Sequence, residues 1–355
     1  MNIKVGVQHF RTIWPDARCK FIEVIDQTKL PFKFEIVRID TVDDMVHAIK
    51  TMQVRGAPLI GAAAAYGMAL ATLEDDSEAH LLLSAEKLKN SRPTAVNLAW
   101  AVNCMLNILK NTQSQRNLTA WREAANIANE DVTQNLAIGH HGLVLIKSLY
   151  KNKTFNILTH CNAGWLATVD GGTALAPIYA AHDEGLKIHV FVDETRPRNQ
   201  GSFLTAWELV QHGVPHTVIT DNAGGHLMQQ GLVDMVIVGA DRVTSCGDVC
   251  NKIGTYLKAL AAYDNHVPFY VAVPSPTVDW QVHDYKTIEI EARDGDEVSN
   301  IQGLAADGSI KNIRVIPVES TAANPAFDVT PARLVTGIIT EKGVFAPNAL
   351  KTIAQ

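Results

Sequence analysis

The stretch FNILTHCNAG, residues 155–164, is a short apolar run that breaks abruptly into polar and glycine residues. Four runs of the same build follow it: IHVFVD (188–193), HTVITD (216–221), MVIVGAD (235–241) and FYVAVP (269–274). The segments between them, TALAPIYAAHDEG, LTAWELVQHG and KIGTYLKALAAYDNH, carry apolar residues three and four apart, the period of a helix. Short β-branched strands alternating with helices predict a parallel sheet covered on both faces, the doubly wound α/β plan. From about residue 285 the rhythm loosens. There IEIEA and IRVIPV read as further strands and PARLVTGIITEKG as a closing helix.

Upstream the pattern is different. VDDMVHAIKTM, the alanine-rich stretch from Pro58, SEAHLLLSAEKLKN and TAVNLAWAVNCMLNIL all show helical spacing, and residues 118–150 extend it as one long helix or two. Pro58 and Thr94 stand where helix starts are expected, the first as an early helical proline, the second as a hydroxyl cap. The polar YKNKTF (150–155) marks the change of rhythm. A mostly helical domain is therefore expected over residues 1–150, after a short N-terminal segment, and the α/β domain over 151–355.

Composition narrows the partners. A formal net charge of −6 and no run of Lys or Arg argue against nucleic acid and anionic membranes. Any phosphate must then be held by a few local basic residues and backbone amides. MNIKVGVQHF lacks the basic-then-apolar pattern of a signal peptide. Residues 57–73, the most apolar stretch, are shorter than a bilayer span and include two glycines and a tyrosine, so a buried helix is expected there. The five cysteines, at 19, 104, 161, 246 and 250, are odd in number and scattered, the pattern of reduced thiols in a cytoplasmic protein.

In an open parallel sheet, ligands bind beyond the carboxyl ends of the strands, near the switch in strand order. Here those ends are THCNAG, DETRPRNQG, TDNAGG and GADR, four polar, glycine-rich ends in succession. Cys161 falls at the first. Asn162, Gly164 and a helix start soon beyond make a setting that can lower a thiol pKa, against the common reading of a lone cysteine as a buried structural thiol. Asp241 falls at the fourth. Partial desolvation at a strand exit raises a carboxyl pKa and suits it to carry a proton; the plainer roles are a helix cap or a salt bridge with Arg242. Asn251 and Lys252, read as lying near a helix start, offer amides and a cation to an anion.

The helical part adds Arg55, before Gly56 and Ala57, and Arg92. Each precedes a helix N-terminus, where dipole and guanidinium together would hold a phosphate; surface arginines near caps are the alternative. Three other signals are weaker. Cys246 and Cys250 lack partner ligands at zinc spacing, so no metal is expected. His140 and His141 read as an exposed or capping pair. The glycines of AGGHLMQQG form no dinucleotide fingerprint, which leaves a nicotinamide cofactor unsupported.

Taken in order, RGAPLIGAAAAYG, RPTAVNL, LTHCNAGWLAT, VDETRPRNQGSFLTAWEL, VGADRVTSCGDVCNKIGTY and NPAFDVTPARLVTGIITEKGV closely resemble the methylthioribose-1-phosphate isomerase family across nearly the whole chain. The wider superfamily also holds regulatory subunits of a eukaryotic translation initiation factor and archaeal ribose-1,5-bisphosphate isomerases. The THCNAG and GADR blocks look most like the methionine-salvage enzyme. The resemblance implies a Rossmann-like second domain, a homodimer, no cofactor, and aldose–ketose isomerisation of 5-methylthioribose 1-phosphate. It implies Cys161 as the catalytic cysteine and Asp241 as the catalytic aspartate and proton donor. It also implies a substrate site of Arg55, Gly56, Ala57, Arg92, Gln200, Asn251 and Lys252.

Trp165 or Trp207 is expected as an apolar wall for the methylthio end. Residues 294–320 depart from the family's usual course, which keeps 5-deoxyribose 1-phosphate as a competing substrate. Ribose 1,5-bisphosphate would need a second anion site. A non-catalytic sugar-phosphate-binding regulatory subunit would be expected to lack the cysteine or the aspartate, and this chain has both.

Overall fold

The computed structural model describes residues 4–151 and 153–353. The apolar runs form one seven-stranded sheet: β1 (Phe155–Thr159), β2 (Ile188–Asp193), β3 (His216–Ile219), β4 (Met235–Val238), β5 (Phe269–Ala272), β6 (Gly337–Thr340) and β7 (Gly343–Phe345). Their order across the sheet is β7-β6-β5-β4-β1-β2-β3, with β1 to β6 parallel and β7 antiparallel at the edge. Apart from that edge strand, this is the 3-2-1-4-5-6 order of the doubly wound Rossmann sheet. The switch in order falls between β1 and β4, which pair Ile157 with Met235 and Leu158 with Val236.

Alternation along each strand feeds two cores. Met235 and Ile237 bury on one face, while Val236 and Val238 bury on the other. The same alternation corrects the expected closing helix. PARLVTGIITEKG forms one short 3₁₀ turn, Ala332–Leu334, and then β6 and β7. Within GIIT, Ile338 joins one core and Ile339 the other, the period of a strand and not of a helix. IEIEA makes only an isolated bridge, Ala292 to Pro325, whereas part of IRVIPV pairs as an exposed hairpin of Asn300–Leu304 with Ile310–Arg314.

The N-terminal region is helical: α1 (Val42–Lys50), α2 (Ala57–Glu74), α3 (Glu78–Lys89), α4 (Val96–Lys110) and α5 (Arg116–Leu149). The segment before it folds as a three-stranded antiparallel sheet, Ile13–Pro15, Ile22–Ile25 and Ile36–Ile39. Helix α2 is long and apolar enough to cross a membrane, but α4 and α5 pack around it and bury nearly all of it. Pro58 stands in its first turn, as expected. Thr94 does not cap α4: Ala95 holds the N-cap position with no side-chain bond, and the Thr94 carbonyl instead accepts from Arg242.

Residues 116–149 are one helix, about 51 Å long at 1.5 Å per residue. The first half of α5 packs Trp121, Ala124 and Ile127 into the helical core; its second half packs Ile138, Leu143 and Ile146 onto the sheet. Gly142 makes the closest approach there, against Pro177 in helix α6 (Ala176–Asp183). Helices α7 (Ala206–His212), α8 (Ala223–Gln229) and α9 (Thr255–Asp264) complete the cover. A second sheet, ordered Val278–Asp279, Arg242–Thr244, Val249–Lys252 and Phe327–Thr330, builds out from the end of β4.

Candidate active site

Cys161 follows β1 by two residues and Asp241 follows β4 by three, so they flank the switch point. Both line one cavity of ≈ 50 Å³. The same cavity is lined by Arg55, Gly56, Ala57, Arg92, Gln200, Asn251 and Lys252, so the expected catalytic pair and the expected substrate contacts converge there. A second cavity of ≈ 450 Å³ adjoins it, and Met52, Arg55 and Gln200 line both.

The backbone at this site is strained. Among the described residues, seven that are not glycine have positive φ, and Met52 (63°), Cys161 (66°), Thr195 (63°) and Asn199 (53°) all stand at or beside the two cavities. Such conformations cost roughly 1–2 kcal/mol each and persist where surrounding bonds enforce them. The bonds are present. The Cys161 N–H donates to Thr195 Oγ1 at 2.8 Å, and the Cys161 carbonyl accepts from Thr205 Oγ1 at 2.7 Å. The Thr195 and Arg196 N–H groups both donate to the Asp221 carboxylate at 2.8 Å. The thiol of Cys161 donates to Gln200 Oε1 at 3.4 Å.

Burial pushes the Cys161 thiol up, and Asp241 adds to that; Arg55 and Lys252 pull the other way without prevailing. The expected lowering of this thiol does not hold. The helix counted on to lower it is only a 3₁₀ turn, Trp165–Ala167, too short for an appreciable dipole. Asp241 is also pushed up by burial, against Lys252, Arg92 and Arg55, which is the direction expected for a proton carrier. Its N–H is tied to the Cys250 carbonyl at 3.0 Å, and its carboxylate accepts no hydrogen bond from the described residues.

Asn251 and Lys252 end a strand and do not start a helix. The amides at the start of α9 are already taken, because Gly254 and Tyr256 N–H donate to the Asp328 carboxylate at 2.7 and 3.1 Å. Lys252 therefore acts through its side chain, which donates to the Ala326 carbonyl at 2.8 Å and lies 4.5 Å over the Phe327 ring. Burial pulls its pKa down, while Cys161 and Asp241 oppose that.

Arg55 crosses from the helical region to the sheet. Its guanidinium donates to the side chain of Asn162, and to the Asn162 carbonyl at 2.6 Å. Asn162 in turn donates to Glu208, a fully buried carboxylate that also takes Trp165 N–H at 2.6 Å and Tyr179 O–H at 2.7 Å. Gly56 sits at φ 98°, and a Cβ there would lie 2.5 Å from the Ala167 carbonyl oxygen, so only glycine lets α2 dock. Arg92 is held loosely, with Nη2 3.6 Å from Glu291 Oε2 and a buried Nε that has no hydrogen-bond partner among the described residues.

The expected tryptophan wall fails, and two lining residues are new. Trp165 is fully buried, stacks on Trp207 at 6.2 Å between centroids, and neither lines either of these two cavities. The apolar side chains facing the larger cavity are instead Leu30, Met52, Phe203, Leu204 and Ile301. Arg293 lines the smaller cavity, and no helix start marks it in the sequence. His160 also lines it, its ring fixed at 2.8 Å to both Asp193 and the Ile253 carbonyl. His160, Asp193 and Asp221 lie close enough to suggest a metal, but Asp193 is engaged by His160 and Lys258, and Asp221 by two backbone amides. His140 is exposed, and His141 meets the Glu341 carbonyl at 3.2 Å.

A methylthioribose-1-phosphate isomerase of Brucella anthropi is 59% identical over 98% of this chain and 97% of its own. The chain belongs to the methylthioribose-1-phosphate isomerase family. Residues 53–347 also match the broader Initiation factor 2 subunit family. The solved 5-methylthioribose 1-phosphate isomerase from Pyrococcus horikoshii superposes with a TM-score of 0.82 at 39% identity, covering 98% of this chain and 97% of that one. The structure of translation initiation factor eIF-2B subunit delta from A. fulgidus gives 0.79 at 42%, covering 96% and 97%. One fold thus carries both names, and within it this member of the isomerase family holds both a cysteine after β1 and an aspartate after β4.

Proposed function

We infer that this chain converts 5-methylthioribose 1-phosphate to 5-methylthioribulose 1-phosphate, an aldose–ketose isomerisation in methionine salvage. The observation that carries the reading is the convergence of Cys161 and Asp241 on one cation-lined cavity at the switch point of a chain 59% identical to a named isomerase.

The substrate carries phosphate on its anomeric oxygen, so the ring needs help to open. Asp241, its carboxyl pushed up by burial, donates a proton to the ring oxygen as the bond from C1 to that oxygen breaks. Hydrogen then moves from C2 to C1, and the C2 hydroxyl proton leaves to give the ketone and restore the carboxylic acid. A buried thiol that stays protonated is a poor base. Of two routes, abstraction of the C2 proton by a Cys161 thiolate and passage of hydrogen from C2 to C1 as hydride with Cys161 steadying charge, this favours the second. Arg55, Arg92 and Lys252 hold the phosphate and oppose its elimination. Gly56 and Ala57 permit the close approach of α2, Gln200 orients the thiol, and Asn251 bonds Thr255 Oγ1 at 3.0 Å beside Lys252.

The larger cavity suits the methylthio end, because Leu30, Met52, Phe203 and Ile301 supply apolar contact. A bisphosphate is disfavoured there, since its second phosphate would face Asp296 and Glu297, which line this cavity. The reading also takes residues 1–150 and 151–355 as two domains that meet at the cavity, in a cytoplasmic homodimer that needs no cofactor and binds neither nucleic acid nor membrane. All five cysteines are free, as reducing surroundings require.

The test is a panel of methylthioribose 1-phosphate, 5-deoxyribose 1-phosphate and ribose 1,5-bisphosphate offered to purified protein without added cofactor. The expected result is ketose formation, fastest from the methylthio sugar. Faster turnover of the deoxy sugar would reassign the substrate, and no turnover of any would turn the reading to a binding subunit. Size-exclusion chromatography with light scattering tests the dimer.

A further inference from the structure

The segment from Glu291 to Ser299 runs along both cavities: Arg293 lines the smaller, and Asp296 and Glu297 line the larger. The Arg293 side chain is 11% exposed, and its Nη2 lies 3.2 Å from Sδ of Met52, a residue that lines both. Together with Arg55, Arg92 and Lys252 it makes four cations lining a cavity in which Asp241 is the one carboxylate. Interiors do not hold that much positive charge without counter-charge.

The counter-charges nearby are arranged in an informative way. Glu297 accepts from Arg293 Nη2 at 2.6 Å, and it also takes Arg198 Nη1 at 3.0 Å and Asn324 Nδ2 at 2.9 Å. It would stay paired if Arg293 turned away. Glu291 lies between the two arginines, 3.6 Å from Arg92 and 3.8 Å from Arg293 Nε, too far for a hydrogen bond to either. Glu291 Oε2 and Arg92 Nε are buried without a hydrogen-bond partner among the described residues. Of the five donors on Arg293, only those on Nη2 are committed to side chains. This wall is buried, cationic and short of hydrogen bonds, which is the state of a wall that an anion completes.

We propose that Arg293 is a fourth ligand of the substrate phosphate, drawn from Glu297 to complete the set of Arg55, Arg92 and Lys252. This rests on the sugar-phosphate reading of the cavity. It assigns Glu297 a definite role: the carboxylate competes with the phosphate for Arg293, so the segment carrying both sets affinity without touching the reacting carbons.

The experiment measures inorganic phosphate binding to the full-length protein by titration calorimetry and by the rise in Tm that it produces. The same variants are then assayed for KM and kcat with methylthioribose 1-phosphate. Arg293→Gln should weaken phosphate about 10- to 100-fold, the loss of a charge-assisted bond, and raise KM in parallel with kcat within threefold. Arg293→Lys should recover part of both. Glu297→Gln keeps an acceptor for Asn324 but removes the competing charge, so phosphate should bind severalfold tighter. Unchanged phosphate binding in Arg293→Gln with a lowered Tm would overturn the proposal and leave Arg293 a clasp to Glu297. Equal weakening by Glu297→Gln would overturn it as well. Because phosphate binding is read without turnover, wild-type protein that binds phosphate through Arg293 but isomerises nothing would sink the enzymatic reading and keep this one.

Discussion

Asp131 in the helical region and Asp241 at the end of β4 are both carboxyl groups pushed up by burial. Their surroundings separate what the two regions do. Asp131, on α5, reaches a pKa of about 7, and its carboxylate takes the Val169 N–H at 2.7 Å. It is a staple between α5 and the loop after β1. Asp241 has three cations acting on it, Lys252, Arg92 and Arg55, and its carboxylate accepts no hydrogen bond from the described residues. In the helical region a buried acid closes a contact; at the mouth of the sheet the same physics leaves a proton facing a cavity.

The sharpest way to break this comparison is to neutralise each carboxyl in turn. Asp241→Asn should lower kcat about 10³-fold, the scale of a lost general acid, with no fall in Tm because an amide is cheaper to bury than a carboxylate. Cys161→Ser should cost kcat about 10²-fold on the same logic of a group at the reacting carbons. Wild-type kcat falls as pH rises past the raised pKa of Asp241, and the Asn variant should lack that limb. Near-normal turnover in either variant would remove that residue from the chemistry.

Asp131→Asn should act on stability and leave kcat within twofold. With a folded pKa of about 7 against 3.8 unfolded, the native state holds a proton that the unfolded chain has lost between those values. Stability from this group therefore falls as pH rises from about 4 to 7 and is flat above that. At pH 8 the variant should be more stable than wild type by up to ~4 kcal/mol, shrinking to within about 1 kcal/mol near pH 4. Urea titrations at pH 5, 6.5 and 8 check this, and parallel pH profiles for the two proteins would show that burial does not govern Asp131.

How much of this was readable beforehand also divides by region. β1 to β5 announced themselves as short apolar runs alternating with helical segments, and the polar, glycine-bearing ends of the first four let the switch-point rule select Cys161 and Asp241. β6 was hidden because GIIT is set between a 3₁₀ turn and a tight hairpin, and its neighbours PARLV and EKG mimic helical spacing. Asn251 and Lys252 were read as lying near a helix start, and the strand that ends on them was missed because it is short and pairs with Arg242–Thr244 on one side and with the distant Phe327–Thr330 on the other. Arg293 precedes only the single helical turn Asp296–Ser299, which no apolar periodicity announces, and it meets Met52, 241 residues off in sequence. The thiol's raised pKa was missed because burial by distant elements outweighs the local setting of Cys161.

The two regions meet along α5, and Gly142 tests how tightly. A Cβ there would lie 2.3 Å from Cγ of Pro177, a rigid ring on α6 that cannot swing aside. Alanine gains about 1 kcal/mol of helix propensity at that position. The clash should more than cancel it, leaving Gly142→Ala about 1–3 kcal/mol less stable in denaturant titration. A stabilised variant would mean that α5 and α6 have room to part.

The smallest effect sharpens the comparison most, because it asks whether the helical region contributes anything to the chemistry beyond charge. Arg92 precedes α4, lies near Glu291 without a hydrogen bond, and lines the cavity beside Asp241. If the helical region only supplies cations, Arg92→Ala removes binding that is equal in ground and transition states. KM should then rise about tenfold, near 1.4 kcal/mol, while kcat stays within threefold. A fall in kcat instead would mean that Arg92 also tunes the proton on Asp241, since its charge pulls that carboxyl down. The pH profile separates the two outcomes. Without Arg92 the limb governed by Asp241 moves to higher pH if the arginine acts on the acid, and stays in place if it holds only the phosphate.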